Sequence, residues 1–143
     1  MGALLAFLGL LVLLVKVIFG LIVICIVGPS RTGKTTHANG LAGPVRHADD
    51  LVGRGCDMDR WLAGWLSEPG PWVIEGVGVG RGLREWLRTH ALGAPCDEVL
   101  RLTVPHVPHT KGQATQAKGE ATVWSQVEMI LRRRGVAVKE GWR

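Results

Sequence analysis

Short apolar segments alternate with amphipathic stretches along most of the chain. The first of them, Leu21 to Val27, is rich in β-branched residues and ends at a glycine, which is typical of a strand buried on both faces of a parallel sheet. Pro44 to Leu51 has room for a short second strand. Three later segments predict further strands, namely Trp72 to Val77, Glu98 to Val104 and Val136 to Val138.

Apolar residues at helical spacing separate these strands. The predicted helices are Lys34 to Leu41, Asp57 to Ser67, Leu83 to His90 and Glu120 to Arg134. Glycine at every second position from Gly76 to Gly82 predicts an irregular loop. Pro105 to Gly119 is polar and has no sustained period, which predicts a mobile loop or lid.

The alternation of strand and helix predicts an α/β fold. About five parallel strands with helices on both faces would form three layers, and ligands bind at the carboxyl ends of such strands. The sequence has no internal repeat and no sign of a second domain. Residues 20–143 are therefore predicted to form one domain, preceded by the apolar N-terminal segment 1–19.

That N-terminal segment is apolar almost throughout and is interrupted by Lys16 and by glycines. The run from Ala3 to Phe19 is about as long as the shortest helix that spans a bilayer, roughly 17 residues, and Lys16 could snorkel. A membrane anchor, an additional buried helix and an extension foreign to the fold are the alternatives for residues 1–19. An inserted segment would leave the basic remainder in the cytoplasm.

The cysteines and the charge add less specific information. Cys25, Cys56 and Cys96 lie far apart and lack metal-binding spacing, so we interpret them as reduced thiols of a cytoplasmic protein. The formal net charge is +5 and the pI is about 9.6. Nucleotides, nucleic acid and anionic lipid would all suit this charge. The chemistry must therefore come from motifs.

One motif lies between the first predicted strand and the first predicted helix. Residues 28–35 are GPSRTGKT and match GxxxxGK[ST] in the required context. In this motif the glycines let the backbone curl, so that successive N–H groups cradle a phosphate at a helix N-terminus. The predicted ligands are therefore ATP and Mg²⁺. The predicted phosphate-binding residues are Gly28, Ser30, Arg31, Thr32, Gly33, Lys34, Thr35 and Thr36.

Three side chains of this motif have more specific predicted roles. Lys34 would reach the β- and γ-phosphates, Thr35 would supply a hydroxyl to Mg²⁺, and Thr36 would bind the α-phosphate.

Acidic residues follow two of the predicted strands. Glu75 ends the apolar run WVIE and is predicted to lie near Mg²⁺, through water. Asp49 and Asp50 follow the second strand and are predicted to bind the metal, to accept a proton from an attacking hydroxyl, or to hold an acceptor. An exposed loop charge is the alternative for Asp49. The predicted metal set is Thr35, Asp50 and Glu75.

The order of these segments resembles that of small P-loop kinases of the adenylate kinase and shikimate kinase type, and of short kinase-like P-loop proteins often encoded by phages. The segments are GPSRTGKTT, HADDL and WVIEGVGVGRGLREWL, and the resemblance extends from Leu21 to the C-terminus. It implies a substrate site between the second and third strands and a lid over the phosphates. It also implies that Asp49 and Asp50 meet the acceptor and that Arg81 or Arg84 holds it.

The predicted lid departs from the pattern of these kinases. They normally place arginines there, whereas this chain has Lys111 and Lys118 together with His106 and His109. Lysine is a point charge without the bidentate fork of arginine. With the lid lysines included, the predicted catalytic residues are Lys34, Asp50, Lys111 and Lys118.

The sequence thus predicts ATP- and Mg²⁺-dependent phosphoryl transfer to a small-molecule acceptor, as in nucleotide and nucleoside kinases. Two alternatives belong to other classes of protein. One is a P-loop NTPase that acts on nucleic acid or on a protein partner. The other is a non-catalytic nucleotide-binding protein that residues 1–19 tether to a membrane.

Overall fold

The structure is a computed structural model that describes residues 2–19, 22–41, 43–53 and 57–141. The strands are β1 (Val23–Val27), β2 (Val45–His47), β3 (Trp72–Glu75), β4 (Glu98–Arg101) and β5 (Ala137–Glu140). The helices are α1 (Gly2–Phe19), α2 (Lys34–Asn39), α3 (Met58–Leu66), α4 (Val79–Thr89) and α5 (Lys111–Arg133), and a 3₁₀ turn, Ala48–Leu51, follows β2. The predicted strand start at Leu21 and the predicted thiol at Cys56 lie outside the described residues.

The five strands lie parallel in one sheet, in the order β2-β3-β1-β4-β5. Strand β1 is central, with Val23 opposite Trp72 of β3 and Ile24 opposite Glu98 of β4. The prediction of an α/β fold with a five-stranded parallel sheet is confirmed. Because all strands run the same way, the segments that follow them gather at one edge of the sheet.

Two apolar clusters show that helices cover both faces of the sheet. Cys25 and Val27 of β1 belong to a large cluster with residues of α3, α4 and α5. Ile26 belongs to a smaller cluster with Ala38 of α2. Successive side chains of a strand point to opposite faces, so the two clusters lie on opposite sides of β1. Helix α2 and helix α5 therefore flank the sheet from different faces.

Helix α1 exposes its apolar side chains. Residues 2–12 are all exposed, and Leu4, Leu5, Phe7 and Leu10 each expose at least 60% of their surface. Within the part of the chain that the structure describes, no helix is long and apolar enough to cross a membrane. The assignment of residues 1–19 as an anchor stays a prediction.

Helix α4 begins at Val79, four residues before its predicted start. The predicted irregular loop is therefore wrong from Val79 onwards, because Gly80 and Gly82 lie within the helix and are buried. A Cβ atom on Gly82 would lie 2.5 Å from the Cβ of Leu62 in α3. These glycines allow α3 and α4 to pack closely, which offsets their low helix propensity.

Helix α5 includes much of the predicted lid. Thr110 caps the helix, because its hydroxyl accepts from the backbone N–H of Gln113 while the Gln113 side chain accepts from the Thr110 N–H. The prediction of a mobile loop is therefore wrong for residues 111–119. Those residues are helical but mostly polar, so the hydrophobic period is absent from them. Residues 102–110 connect β4 to α5.

Candidate functional site

The glycine-rich segment turns tightly at the carboxyl edge of the sheet, between β1 and α2. Gly28 has φ +135°, and a Cβ atom there would lie 1.9 Å from the backbone oxygen of Leu102. Gly33 has φ +84°, and its Cβ would lie 2.8 Å from Cε1 of His106. Both positions therefore require glycine. At Gly28 the loop approaches the backbone after β4 more closely than any side chain would allow.

Lys34 is held inside this loop. Its side chain is buried, and its ammonium group donates to the carbonyl oxygen of Pro29 and to Oγ1 of Thr32, the latter at 3.4 Å. Burial lowers the pKa of Lys34 from its usual value, while the negative charges of Glu75, Asp49 and Glu120 act in the opposite direction. The loop thus encloses the Lys34 cation, on which three carboxylates from other elements act.

Thr35, Glu75 and His47 form a hydrogen-bonded group beside Lys34. The Thr35 hydroxyl donates to Oε1 of Glu75 at 3.1 Å, and Nδ1 of His47 lies 2.6 Å from the same oxygen. Glu75 ends β3 and is buried, which explains how it comes to lie beside the start of α2. A hydroxyl and a carboxylate oxygen suit a hard cation such as Mg²⁺.

These two oxygens would not hold a metal ion by themselves. In the described ranges, no group of three or more His, Cys, Asp or Glu side chains is placed to bind one. Mg²⁺ commonly keeps several waters and takes one or two protein ligands together with substrate phosphates. The Thr35 and Glu75 pair therefore fits Mg²⁺ that arrives with a nucleotide.

A cavity of about 270 Å³ lies over the loop, and we call it the loop cavity. Thr32 is buried beneath it, and Gly28 lies at the end of β1. Most of the predicted phosphate-binding residues line it. The lining comprises Ser30, Arg31, Gly33, Lys34, Thr35, Thr36, Asp49, Glu75 and Val77.

A second cavity, of about 370 Å³, adjoins the loop cavity, because Asp49 and Val77 line both. We call it the adjoining cavity. Its walls come from the 3₁₀ turn, from the starts of α3 and α4, and from the middle of α5. The polar lining residues are Asp49, Arg81, Gln116 and Glu120, and the apolar ones include Val52, Met58, Val77 and Val123.

The structure separates the residues predicted to hold an acceptor. Asp49 and Asp50 are both exposed, as the alternative for Asp49 anticipated, but Asp49 lines both cavities whereas Asp50 lines neither. Arg81 lines the adjoining cavity, and its Nε donates to Asp59 at 3.0 Å. Arg84 lies elsewhere on α4 and donates to Gln126 at 2.8 Å. The structure thus brings together Asp49 and Arg81 but not Asp50 and Arg84.

The predicted lid lysines also lie apart from the loop. Lys111 and Lys118 are exposed on α5, and helix geometry places each about 140–160° around the axis from Gln113 and Gln116. Those two glutamines make the contacts to the loop instead. Gln113 accepts from Nε of Arg31 at 2.9 Å, and the Ser30 hydroxyl donates to Gln116 at 3.0 Å.

The histidines of the predicted lid contact the loop through its backbone. The N–H of His106 donates to the Arg31 oxygen at 2.7 Å, and Nε2 of His109 lies 2.8 Å from the Ser30 oxygen. Sequence reasoning noted these histidines but missed Gln113 and Gln116. The pattern Thr-x-x-Gln at residues 110–113 is a helix-start signal that would have revealed the helix that carries both glutamines, but not their contacts to the loop.

A buried ion pair behind the adjoining cavity was also missed. Arg101 donates to Oε2 of Glu120 at 2.9 Å, and both residues are more than 90% buried. Burial raises the pKa of Glu120, and the positive charges of Arg101 and Lys34 oppose that change. Arg101 also lies over the ring of Trp124, 5.1 Å from its centroid. Oε1 of Glu120, Nε of Arg101 and Nε1 of Trp124 have no hydrogen-bond partner within the described structure.

Comparison with known proteins adds no identification. The sequence matches no protein-family model, and no curated protein matches it. The resemblance to P-loop kinases therefore stays a prediction, and the function is inferred from the site itself.

Proposed function

We propose that this chain transfers the γ-phosphoryl group of ATP to a hydroxyl group of a small-molecule acceptor, with Mg²⁺ bound beside the phosphates. One observation carries the proposal. The loop that encloses Lys34 adjoins a second cavity of small-molecule size, and the carboxylate of Asp49 lies at the boundary of the two. A small acceptor in the adjoining cavity would lie next to phosphates held by the loop.

The loop would bind the phosphates through its backbone N–H groups and through Lys34. The Lys34 ammonium group would exchange its bond to Pro29 for β- and γ-phosphate oxygens. Thr35, and Glu75 through water, would hold Mg²⁺, which supplies neutralisation of the phosphate charge. Arg31 also lines the loop cavity and would add a second cation there.

Asp49 would orient the acceptor hydroxyl and receive its proton. Phosphoryl transfer depends mainly on positioning and on charge stabilisation, so a carboxylate within reach of both cavities is well placed. Asp50 was the predicted catalytic carboxylate, and here Asp49 takes that role because it lines both cavities. Lys111 and Lys118 receive no role in this arrangement.

The test is ADP production from ATP and Mg²⁺ across a panel of small hydroxyl compounds and nucleic acids. We expect one class of small acceptor to stimulate turnover. We expect Lys34→Ala to lower kcat/KM about 100-fold or more, because it removes the enclosed cation of the loop. Lys139→Ala is the matched control, since Lys139 is exposed on β5 and pairs with Glu98.

Other outcomes would support other classes of protein. Full activity of Lys34→Ala would contradict the proposed mechanism. Stimulation by nucleic acid alone, with a strong dependence on salt, would favour an NTPase that acts on nucleic acid. ATP binding without any turnover would favour a nucleotide-binding protein, and the exposed apolar surface of α1 is the feature that would then suggest a tether.

A further inference from the structure

The adjoining cavity contains features that restrict which acceptor it can bind. We propose that the acceptor is an alcohol that carries a second hydrogen-bond donor, such as an amine or another hydroxyl, and no phosphate group. This inference rests on the proposed phosphoryl transfer and names the chemical class of its acceptor.

The first feature is the unpaired oxygen of Glu120. Glu120 lines the adjoining cavity but is only 8% exposed. Its Oε2 atom accepts from Arg101, whereas Oε1 is buried and has no partner in the described structure. A buried acceptor atom without a donor costs free energy, so a ligand N–H or O–H group that reaches it would be bound preferentially.

The second feature is the charge of the cavity wall. Among the described lining residues, Asp49 and Glu120 are acids and Arg81 is the one cation. The Arg81 guanidinium already donates to Asp59. A phosphate monoester carries a charge of about −1.5 to −2 at neutral pH. Such a group would meet two carboxylates and a single engaged guanidinium, so the wall disfavours nucleotides and other phosphorylated acceptors.

The third feature is the apolar part of the wall. Val52, Met58 and Val123 line the cavity beside the polar residues, so the acceptor presents a hydrocarbon surface as well as its donors. The reacting hydroxyl would lie next to Asp49, and the second donor next to Glu120.

The reaction balances without any further reagent. The hydroxyl oxygen attacks the γ-phosphorus of ATP and forms a new P–O bond. The bond from that phosphorus to the bridging oxygen breaks, and its electron pair leaves with ADP. The hydroxyl proton passes to the Asp49 carboxylate and then to solvent.

The first experiment uses the full chain with ATP, Mg²⁺ and matched acceptor pairs. Each pair contrasts a diol or an amino diol with a monophosphate that keeps the reacting hydroxyl free, or with an analogue that lacks the second donor. We expect kcat/KM to be about tenfold or more higher for the unphosphorylated compound that retains the donor. A preference for the phosphorylated member, or indifference to the second donor, would overturn the inference.

The second experiment uses Glu120→Gln. The amide oxygen can still accept from Arg101, which leaves an NH₂ group in place of Oε1. We expect the acceptor KM to rise about tenfold, because donor would then meet donor, while the KM for ATP stays unchanged. An acceptor analogue with an ether or carbonyl oxygen in place of the second donor has a lower kcat/KM with the unmodified chain. This difference should disappear with Glu120→Gln. An unchanged acceptor KM would count against the inference.

Glu128→Gln is the matched control, because Glu128 lies on the same helix and pairs with Arg132 at the surface. An unchanged KM for ATP shows that the Glu120 variant has kept its fold, and the acceptor pairs decide the question with the unmodified chain in any case. Turnover of phosphorylated acceptors would preserve the proposed kinase and overturn this inference alone. Retained ATP binding without turnover of any acceptor would overturn both.

Discussion

Gly28 allows the end of β1 to pass close to the backbone that follows β4. Replacing it with alanine would force a Cβ atom against the Leu102 carbonyl oxygen at a φ that side chains rarely adopt. We expect Gly28→Ala to lower the free energy of unfolding by about 3 kcal/mol or more. Denaturant unfolding measures this quantity.

Gly64→Ala provides the control for that measurement. Gly64 is exposed within α3, and a Cβ atom there would meet nothing within 4 Å. Alanine in a helix is more stable than glycine by roughly 0.5–1 kcal/mol, so this variant should gain stability. Equal effects of the two substitutions would contradict the role assigned to the close approach at Gly28.

Asp49 and Asp50 are adjacent residues of one turn, so a substitution at each of them tests the proposed site. We expect Asp49→Asn to lower kcat by about 100-fold, because Asp49 borders both cavities and would receive the acceptor proton. Asp50→Asn should retain nearly full activity, since Asp50 lines neither cavity. The reverse order of effects in steady-state kinetics would return the catalytic role to Asp50.

Glu120 should also make stability depend on pH. Burial raises its pKa above the ordinary value of 4.5, so the folded chain holds this proton more tightly than the unfolded chain. The free energy of unfolding should therefore fall as the pH rises from 4.5 through the raised pKa. Denaturant unfolding at a series of pH values from 4.5 upwards should show a part of the slope that disappears in Glu120→Gln but persists in Glu128→Gln. Identical slopes in all three chains would refute this.

At the scale of single residues, the sequence indicates which side chains lie together where a motif prescribes the geometry, but not where the contacts are tertiary. The loop lysine, the Thr35 hydroxyl and Glu75 lie together because one short turn and two adjacent strands bring them together. The sequence does not reveal that Arg101 pairs with Glu120. It also does not reveal which of Asp49 and Asp50 lines the cavities. The first requires a strand and a helix to pack, and the second depends on the turn geometry of a 3₁₀ segment.

The N-terminal cap of helix α5 stabilises the polar first turns of that helix. Thr110 satisfies a backbone N–H at the start of the helix, and the first turns contact the loop through Gln113 and Gln116. We expect Thr110→Ala to cost about 1 kcal/mol and to accelerate hydrogen exchange in residues 111–119.

Thr115→Ala is the control within the same helix. The Thr115 hydroxyl donates to the Lys111 carbonyl oxygen in mid-helix, where alanine has the higher helix propensity. This variant should exchange no faster than the unmodified chain. Faster exchange in both variants alike would mean that the cap is not what orders the first turns.

The bounds of the helices were predicted most accurately where the hydrophobic period is strongest. Helix α3 was predicted within one residue at each end, because its apolar residues recur regularly. The predicted helix α4 is too short because its glycines are typical of loops, although they allow close packing against α3. The predicted helix α5 is too short because residues 111–119 lack large apolar side chains. Only the capping residues before them indicate that they are helical.

At the scale of the whole molecule, the alternation of elements was enough to predict a parallel sheet with helices on both faces. The order of the strands that flank β1 was not predictable from local patterns, because it depends on which faces the connecting helices cover. The adjoining cavity follows from that arrangement, since it forms where the 3₁₀ turn, α4 and α5 meet. No segment of the sequence encodes it by itself.

The central position of β1 has a consequence for synthesis of the chain. Its apolar sequence VICIV leaves the ribosome before both of its neighbours, because β3 and β4 are completed only at Glu75 and Arg101. Until then the nascent chain exposes a short, uncharged, β-branched segment of the kind that aggregates. We expect a polypeptide stopped before β4 to aggregate without a chaperone, although it contains the whole glycine-rich loop, because one edge of β1 would lack its partner strand.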